Sequence, residues 1–325
     1  MALTKRSACV VLIAMVFVIY MLCERASFLK MRKEMTKPGK AVHEVQDINR
    51  NSIKSTHIYS NDSRDDHHFR KRFQDAMMDP NLTVTDFLSF DEIRATFLDM
   101  IFNIKYNCSD DRRMGVPIPR DGGYNVCLDV GIKPGNCTVY SVGIASKWSF
   151  DDAMAEYGCN VYCFDPFNGL QTHRRSERVM FYAIGMCGYD DDKRKFPGDD
   201  RLVECKTLET IRKMLHHEKE IIDVVKFDIE GNEHECLPQI IHSDVLASVK
   251  QLSFEMHINS QSKRKSFDDT CHLLGELERR HGFKLWSARE NTIVRTNDYG
   301  KYGGVHHNNF EISYLNTNFL GKRKS

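Results

Sequence analysis

Val139–Pro166 reads VYSVGIASKWSFDDAMAEYGCNVYCFDP. An apolar strand, Val139–Val142, runs into Gly143. A loop with the small residues Ala145 and Ser146 follows, and a helix begins over Ser149–Glu156. A second apolar strand, Val161–Phe164, then ends at Asp165. Small residues after the first strand let a ligand's polar groups reach backbone N–H groups that bulkier side chains would screen. Asp165 stands about twenty residues beyond Gly143, where an acid can accept both hydroxyls of a ribose. The loop is not a clean GxGxxG, because Ala145 occupies the second glycine position and the third is absent. The plainer alternative is a strand–turn–helix in which Gly143 relieves crowding and Asp165 caps a turn.

Outward from this segment, short apolar runs alternate with helix-length stretches. Val179–Ile184, Ile221–Ile229, Val249–Met256, Lys284–Ala288 and Phe310–Leu315 read as further strands; Leu208–His216 and Phe267–Arg280 read as helices. Ile221–Ile229 is nearly all apolar, as a central strand covered on both faces must be. The pattern predicts an α/β fold of Rossmann type with a mostly parallel, seven-stranded, doubly wound sheet. The last two strands lack a helix-length stretch between them and are expected to pair antiparallel at one edge. Upstream, Phe87, Phe90, Ile93, Phe97, Met100 and Ile101 recur at helical spacing within 85–104 and predict a helix packed on the domain.

Val224–Leu237, VVKFDIEGNEHECL, sets Lys226, Asp228 and Glu230 on alternate positions at a strand's carboxyl end; Gly231 breaks the strand and Glu233 begins a turn of helix. Gln251–His257, QLSFEMH, brings Glu255 and His257 to the end of the next strand. Ligands of open α/β sheets sit outside the carboxyl ends of strands, so these groups face the expected site. Charged groups there are costly unless paired or used. The alternative is a salt-bridge network, Lys226 with Asp228 or Glu255, and Glu233 as a helix cap. The pairs His67-His68, His216-His217 and His306-His307 are expected at the surface, because adjacent helical residues do not share a face. No metal site is expected.

The 325-residue chain carries a formal net charge of +1, which gives no basic excess for nucleic acid. Ala8–Cys23, ACVVLIAMVFVIYMLC, is uncharged and predicts a signal-anchor in the membrane. A short tail over 1–7, expected on the cytosolic side, precedes it; a cleaved signal peptide with secretion is the alternative. Residues 24–70 read as a polar stem and 71–320 as the domain. Of the 11 cysteines, Cys9 and Cys23 flank or join the apolar run, which leaves nine in the body. Sequons begin at Asn61, Asn81, Asn107 and Asn136. Together these favour a lumenal, oxidising compartment, the Golgi or endoplasmic reticulum. Cys127 and Cys137 are spaced to close a short loop, although sequence alone leaves the connectivity open.

VYSVGIASKWSFDDAM, GCNVYCFDP, VVKFDIEGNEHECL, QLSFEMH, HGFKLWSARENT and FEISYLN follow one another in an order that resembles the animal membrane-anchored methyltransferase-like proteins. The KxDxEGxE and ExH blocks are similar to those of FkbM-type methyltransferases. The resemblance covers roughly 73–318. It implies an S-adenosyl-L-methionine domain with Gly143 and Ala145 in the cofactor loop and Asp165 on the ribose. Asp228 and Glu230 would lie beside cofactor and acceptor, with Glu255 and His257 across from them. For O-methyl transfer, His257 first and Asp228 second are the expected bases. The resemblance defines no acceptor: glycan, lipid, protein and small molecule all stand open. Two other readings remain, an inactive scaffold that keeps the fold and a lumenal glycosyltransferase suggested by Asp190-Asp191-Asp192. That acidic run is expected to be a solvated loop.

Overall fold

The computed structural model describes residues 90–197, 199–258, 262–299 and 304–321. The expected anchor, stem, first helical turn, His67-His68, and the sequons at Asn61 and Asn81 lie outside the described residues. Among the described residues no helix is long and apolar enough to cross a membrane. Contacts divide the chain after Glu92, and the body from Ile93 onward is described below.

In chain order the first elements are α1 (Phe90–Phe102), β1 (Asp111–Met114), β2 (Tyr124–Cys127), β3 (Thr138–Val142), α2 (Ser149–Tyr157) and β4 (Asn160–Phe164). Next come β5 (His173–Arg174), β6 (Val179–Tyr182), β7 (Gly185–Met186), β8 (Asp191–Lys195), β9 (Leu202–Lys206) and α3 (Leu208–Met214). The chain continues with β10 (Ile222–Phe227), α4 (Glu233–His242), β11 (Val249–His257) and α5 (Arg264–His281). It closes with β12 (Phe283–Glu290), β13 (Thr296–Asp298), β14 (Val305–His307) and β15 (Asn309–Asn316).

The main sheet runs β12-β15-β11-β10-β3-β4-β6-β5 and has eight strands rather than seven, the extra one being the two-residue β5. Pairing is parallel from β11 through β10, β3 and β4 to β6. β15 inserts antiparallel between β11 and β12, which delivers the expected antiparallel edge. All six residues of β10 are buried, as its apolar run requires. The crossover β3-α2-β4 leaves the centre in one direction and β10-α4-β11 in the other. Parallel crossovers are right-handed, so α2 and α4 cover opposite faces. The crevice between diverging crossovers opens at the carboxyl ends of β3 and β10. In α1, Ile93, Phe97 and Ile101 are fully buried, and the Phe97 ring meets Phe267 and Phe310 edge-on at 5.5 Å.

Several details depart from the sequence expectation. The β1-β2 and β13-β14 hairpins and a small β7-β9-β8 sheet were not foreseen. Their strands are short, and Asp111–Met114 (DRRM) and Asp191–Lys195 (DDKRK) are too polar to announce themselves. The acidic run is therefore largely strand, not loop. Asp190 accepts hydrogen bonds from Thr207 N and Thr210 Oγ1 at the start of α3, and Asp192 pairs with Lys206. Cys127 does not pair with Cys137: the disulfides are Cys108–Cys127, Cys137–Cys159 and Cys187–Cys205, with Cys163, Cys236 and Cys271 buried and reduced. Strand pairing decides this, because β3 lies beside β4 and brings Cys137 to Cys159. Nor are the histidine pairs simply at the surface. His217 is half-buried with Nδ1 2.8 Å from Tyr140 Oη, and half-buried His306 meets Glu290 at 2.7 Å.

Candidate active site

The crevice is assembled where β3 and β10 end side by side. Val142 pairs with Phe227, so the next residues, Gly143 and Asp228, confront one another. Gly143 has φ +70°, and a Cβ placed on it would lie 1.6 Å from the Asp228 carbonyl oxygen. No side chain fits there, so glycine is required first by strand packing. Lys226, buried on β10, donates from Nζ to the carbonyls of Val142 (3.2 Å) and Gly143 (2.9 Å). It does not form the expected ion pair with Asp228 or Glu255; it fastens the loop after β3.

Beyond Gly143 the backbone turns through Ala145 at φ +47°, a left-handed conformation that disfavours a side chain. Asp165 holds it there. One carboxylate oxygen, Oδ2, accepts from Ala145 N and the other, Oδ1, from Phe167 N, each at 2.7 Å. Asp165 is 5% exposed, and two hydrogen bonds leave unused lone pairs on both oxygens. The bond to Phe167 N is the turn cap of the plainer reading; the bond to Ala145 N was missed because it depends on how β4 ends beside the loop. Ala145, Ser146 and Lys147 are exposed, so the loop's rim is open.

The turn after β10 is equally shaped. Glu230 sits at φ +54° and Gly231 at φ +99°. Glu233, fully buried at the start of α4, takes Ile229 N on Oε1 and Gly231 N on Oε2, both at 2.8 Å. The expected helix-capping role is therefore not seen: the carboxylate turns back onto the preceding loop, and the N-cap of α4, Asn232, makes no side-chain cap. Glu233 Oε1 also accepts from His257 Nδ1 at 3.1 Å. That bond points His257 Nε2 toward Asp228 Oδ1 (3.7 Å), Glu230 Oε2 (3.5 Å) and Glu255 Oε2 (3.6 Å). Those separations are too long for hydrogen bonds. Among the described residues His257 Nε2 and Asp228 Oδ1 are shielded from solvent and lack hydrogen-bond partners. Asn291 Nδ2 donates to Glu255 Oε1 at 2.8 Å, a second contact the sequence did not signal.

Crowded acids titrate abnormally. Burial, reinforced by neighbouring Asp228, pushes the Glu255 carboxyl up to about 8. Burial likewise raises Asp228, against the pull of Lys226 and His257. For His257 burial works downward, but the bond to Glu233 and the surrounding carboxylates outweigh it and set the imidazole at about 9. Every site residue predicted on β10 and β11 therefore meets in one cluster, Glu230 at its exposed edge. Gly143, Ala145 and Asp165 line the neighbouring loop.

A sequence profile described as a methyltransferase domain matches residues 59–303. The chain belongs to that family. It is similar to methyltransferase-like protein 24 of Rattus norvegicus, 30% identical over 217 residues, covering 61% of this chain and 58% of the rat protein. The Homo sapiens protein of that name is 28% identical over 216 residues, covering 62% and 58%. The chain thus spans under two thirds of the curated relatives it matches. Among solved structures, an rRNA methylase from Streptococcus thermophilus aligns over 58% of this chain and 92% of its own, at 12% identity and a TM-score of 0.33.

Proposed function

We propose that the protein is an S-adenosyl-L-methionine-dependent methyltransferase acting on a hydroxyl of a lumenal acceptor. The observation that carries this reading is the juxtaposition, across the β3/β10 crevice, of an anchored small-residue loop and a buried His–carboxylate cluster. The residues suit the cofactor. The rim at Ala145–Lys147 is open, Asp165 has lone pairs left for a ribose, and Asp228 presents an unpartnered oxygen.

When bound, the cofactor supplies a methyl group on a positively charged sulfur. The chain's task is to orient the acceptor in line and remove its proton. An oxygen–methyl bond forms as the sulfur–methyl bond breaks, and the hydroxyl proton passes to the protein. Asp228 is the proton acceptor. His257, held protonated at neutral pH by Glu233 and the other carboxylates, steadies the charge on Asp228 instead of serving as the primary base. This reverses the order expected from sequence.

A lumenal, membrane-anchored setting completes the proposal. It is supported by the three disulfides among the described residues, by the exposed sequon residues Asn107 and Asn136, and by the apolar run Ala8–Cys23. No acceptor class is singled out.

The test is calorimetric binding of S-adenosyl-L-methionine to the full chain made in a secretory host. Methyl transfer to glycan, lipid and protein fractions is then followed with labelled cofactor. Binding, with transfer lost in Asp228→Asn, is expected. A folded chain that does not bind the cofactor would overturn the reading and favour a scaffold.

A further inference from the structure

We propose that the His257 cluster is a binding site for one divalent transition-metal cation, with His257 Nε2 and Asp228 Oδ1 as ligands and the Glu255 carboxyl beside them. Four carboxylates, those of Asp228, Glu230, Glu233 and Glu255, surround a single imidazole. A single imidazole stands among these acids, and Lys226 is committed to the carbonyls of Val142 and Gly143. Unbalanced carboxylates in a buried position are costly, and a cation is the direct compensation.

Three observations point to a ligand beyond the acidity itself. First, Glu255 has a side chain only 4% exposed, held at Oε1 by Asn291, with Oε2 turned to within 3.6 Å of His257 Nε2. Second, His257 Nε2 and Asp228 Oδ1 are shielded, unpartnered and 3.7 Å apart. Two donors at that separation subtend about 120° at a point 2.1 Å from each, close to the angle between ligands of a four-coordinate ion. Donor atoms of Asp228, Glu233 and His257 fall within 4.8 Å of one another, with Glu233, already bonded to Ile229 N and Gly231 N, behind the ring instead of on the ion. Third, the other imidazole nitrogen is already held by a fully buried carboxylate, Glu233, at 3.1 Å. Carboxylate–histidine–metal relays are built this way: the outer carboxylate fixes the ring and its tautomer so that the free nitrogen faces the ion.

One imidazole among oxygens suits Zn2+ or Mn2+ better than Ca2+. The other grouping of possible donors, Cys108, Cys127 and Asp129, is not a rival, because its two sulfurs are joined in a disulfide. An ion here would displace the His257 Nε2 proton, lie beside the acceptor position assigned above and polarise the acceptor hydroxyl, so the base role of Asp228 assigned above belongs to the metal-free chain. Only this consequence rests on the methyltransferase reading; the binding site itself does not.

Cation binding is therefore measured without cofactor or acceptor. The full chain, stripped with chelator, is titrated with Zn2+ and with Mn2+; bound metal is quantified and melting is followed in parallel. Expected are one ion per chain and a melting temperature that rises with the ion and falls back with chelator. Asp228→Asn/Glu255→Gln should abolish the bound ion and the metal-induced shift while retaining a cooperative melt, since the isosteric amides keep the packing and relieve the crowding of acids. Glu233→Gln, which alters a positioning residue, should weaken affinity by about 10–100-fold without changing stoichiometry. A native chain that binds neither ion, or an Asp228→Asn/Glu255→Gln chain that binds as tightly as the native one, would overturn the site. Metal binding without S-adenosyl-L-methionine binding would overturn the function proposed above and leave this site standing.

Discussion

Two residues with side chains, Ala145 and Glu230, adopt left-handed backbone conformations on opposite lips of the crevice, at φ +47° and φ +54°. Each is held by a buried carboxylate acting on backbone N–H groups of its turn: Asp165 for the first loop and Glu233 for the second. Strain of this kind costs about 1–3 kcal/mol per residue and persists only where surroundings over-determine it. Glycine at position 145 would remove the strain and add some unfolded-state entropy, which opposes part of the gain. Ala145→Gly is accordingly expected to stabilise the protein by up to about 1 kcal/mol, measured as a raised urea midpoint at unchanged slope. A lower midpoint would show that the loop gains more from the alanine methyl than it loses to backbone strain. The sequence displayed Ala145 as a departure from a glycine pattern; it did not display the carboxylate that makes the departure tolerable.

At the scale of elements, most strands and helices were legible in the sequence, and the errors were of one kind. Apolar runs announced β3, β4, β6, β10, β11, β12 and β15, because a doubly covered strand needs apolar residues throughout. The β1-β2 hairpin and the β7-β9-β8 sheet escaped, since polar edge strands look like loops. The hairpin's base is fixed by Asp129, whose carboxylate takes Ser109 N, Ser109 Oγ, Asp110 N and Tyr106 Oη. Partial burial would raise this acid, but those hydrogen bonds outweigh it and hold it below the usual carboxylate range. A depressed carboxyl adds stability that is fully present above its unfolded value of about 3.9 and is lost as pH falls through the folded value. The chain should therefore lose stability as pH drops below about 4, and Asp129→Asn should flatten that part of the curve in acid denaturation followed by fluorescence. An unchanged acid limb would mean that other carboxylates dominate it.

Across the whole molecule, the order of strands decides where chemistry can occur. Gly143 and Asp228 are 85 residues apart in the chain, yet the pairing of β3 with β10 sets them against one another. The same pairing logic directed the disulfides, placing Cys137 with Cys159 across β3 and β4 where sequence spacing left the connectivity open. If the proposed lumenal setting is right, the exposed Asn107 and Asn136 are open to glycan transfer. Secretory expression should give a product that drops in mass on glycosidase treatment, with less of the drop remaining in Asn107→Gln/Asn136→Gln. A native chain whose mass does not change would contradict lumenal exposure of this domain.

The sequence by itself determined the fold class, the family, and the stretches that carry Gly143, Asp165, Asp228, Glu255 and His257. Apolar periodicity and the residues that end strands are local properties, and local properties are written in order along the chain. Only the tertiary structure decided what those residues do to each other. It turned Asp165 onto the loop backbone and Lys226 onto two carbonyls, and it put Glu233 behind His257. Those relations are distances between distant segments, fixed by strand order and by which buried polar group must satisfy which, and no one-dimensional pattern contains them.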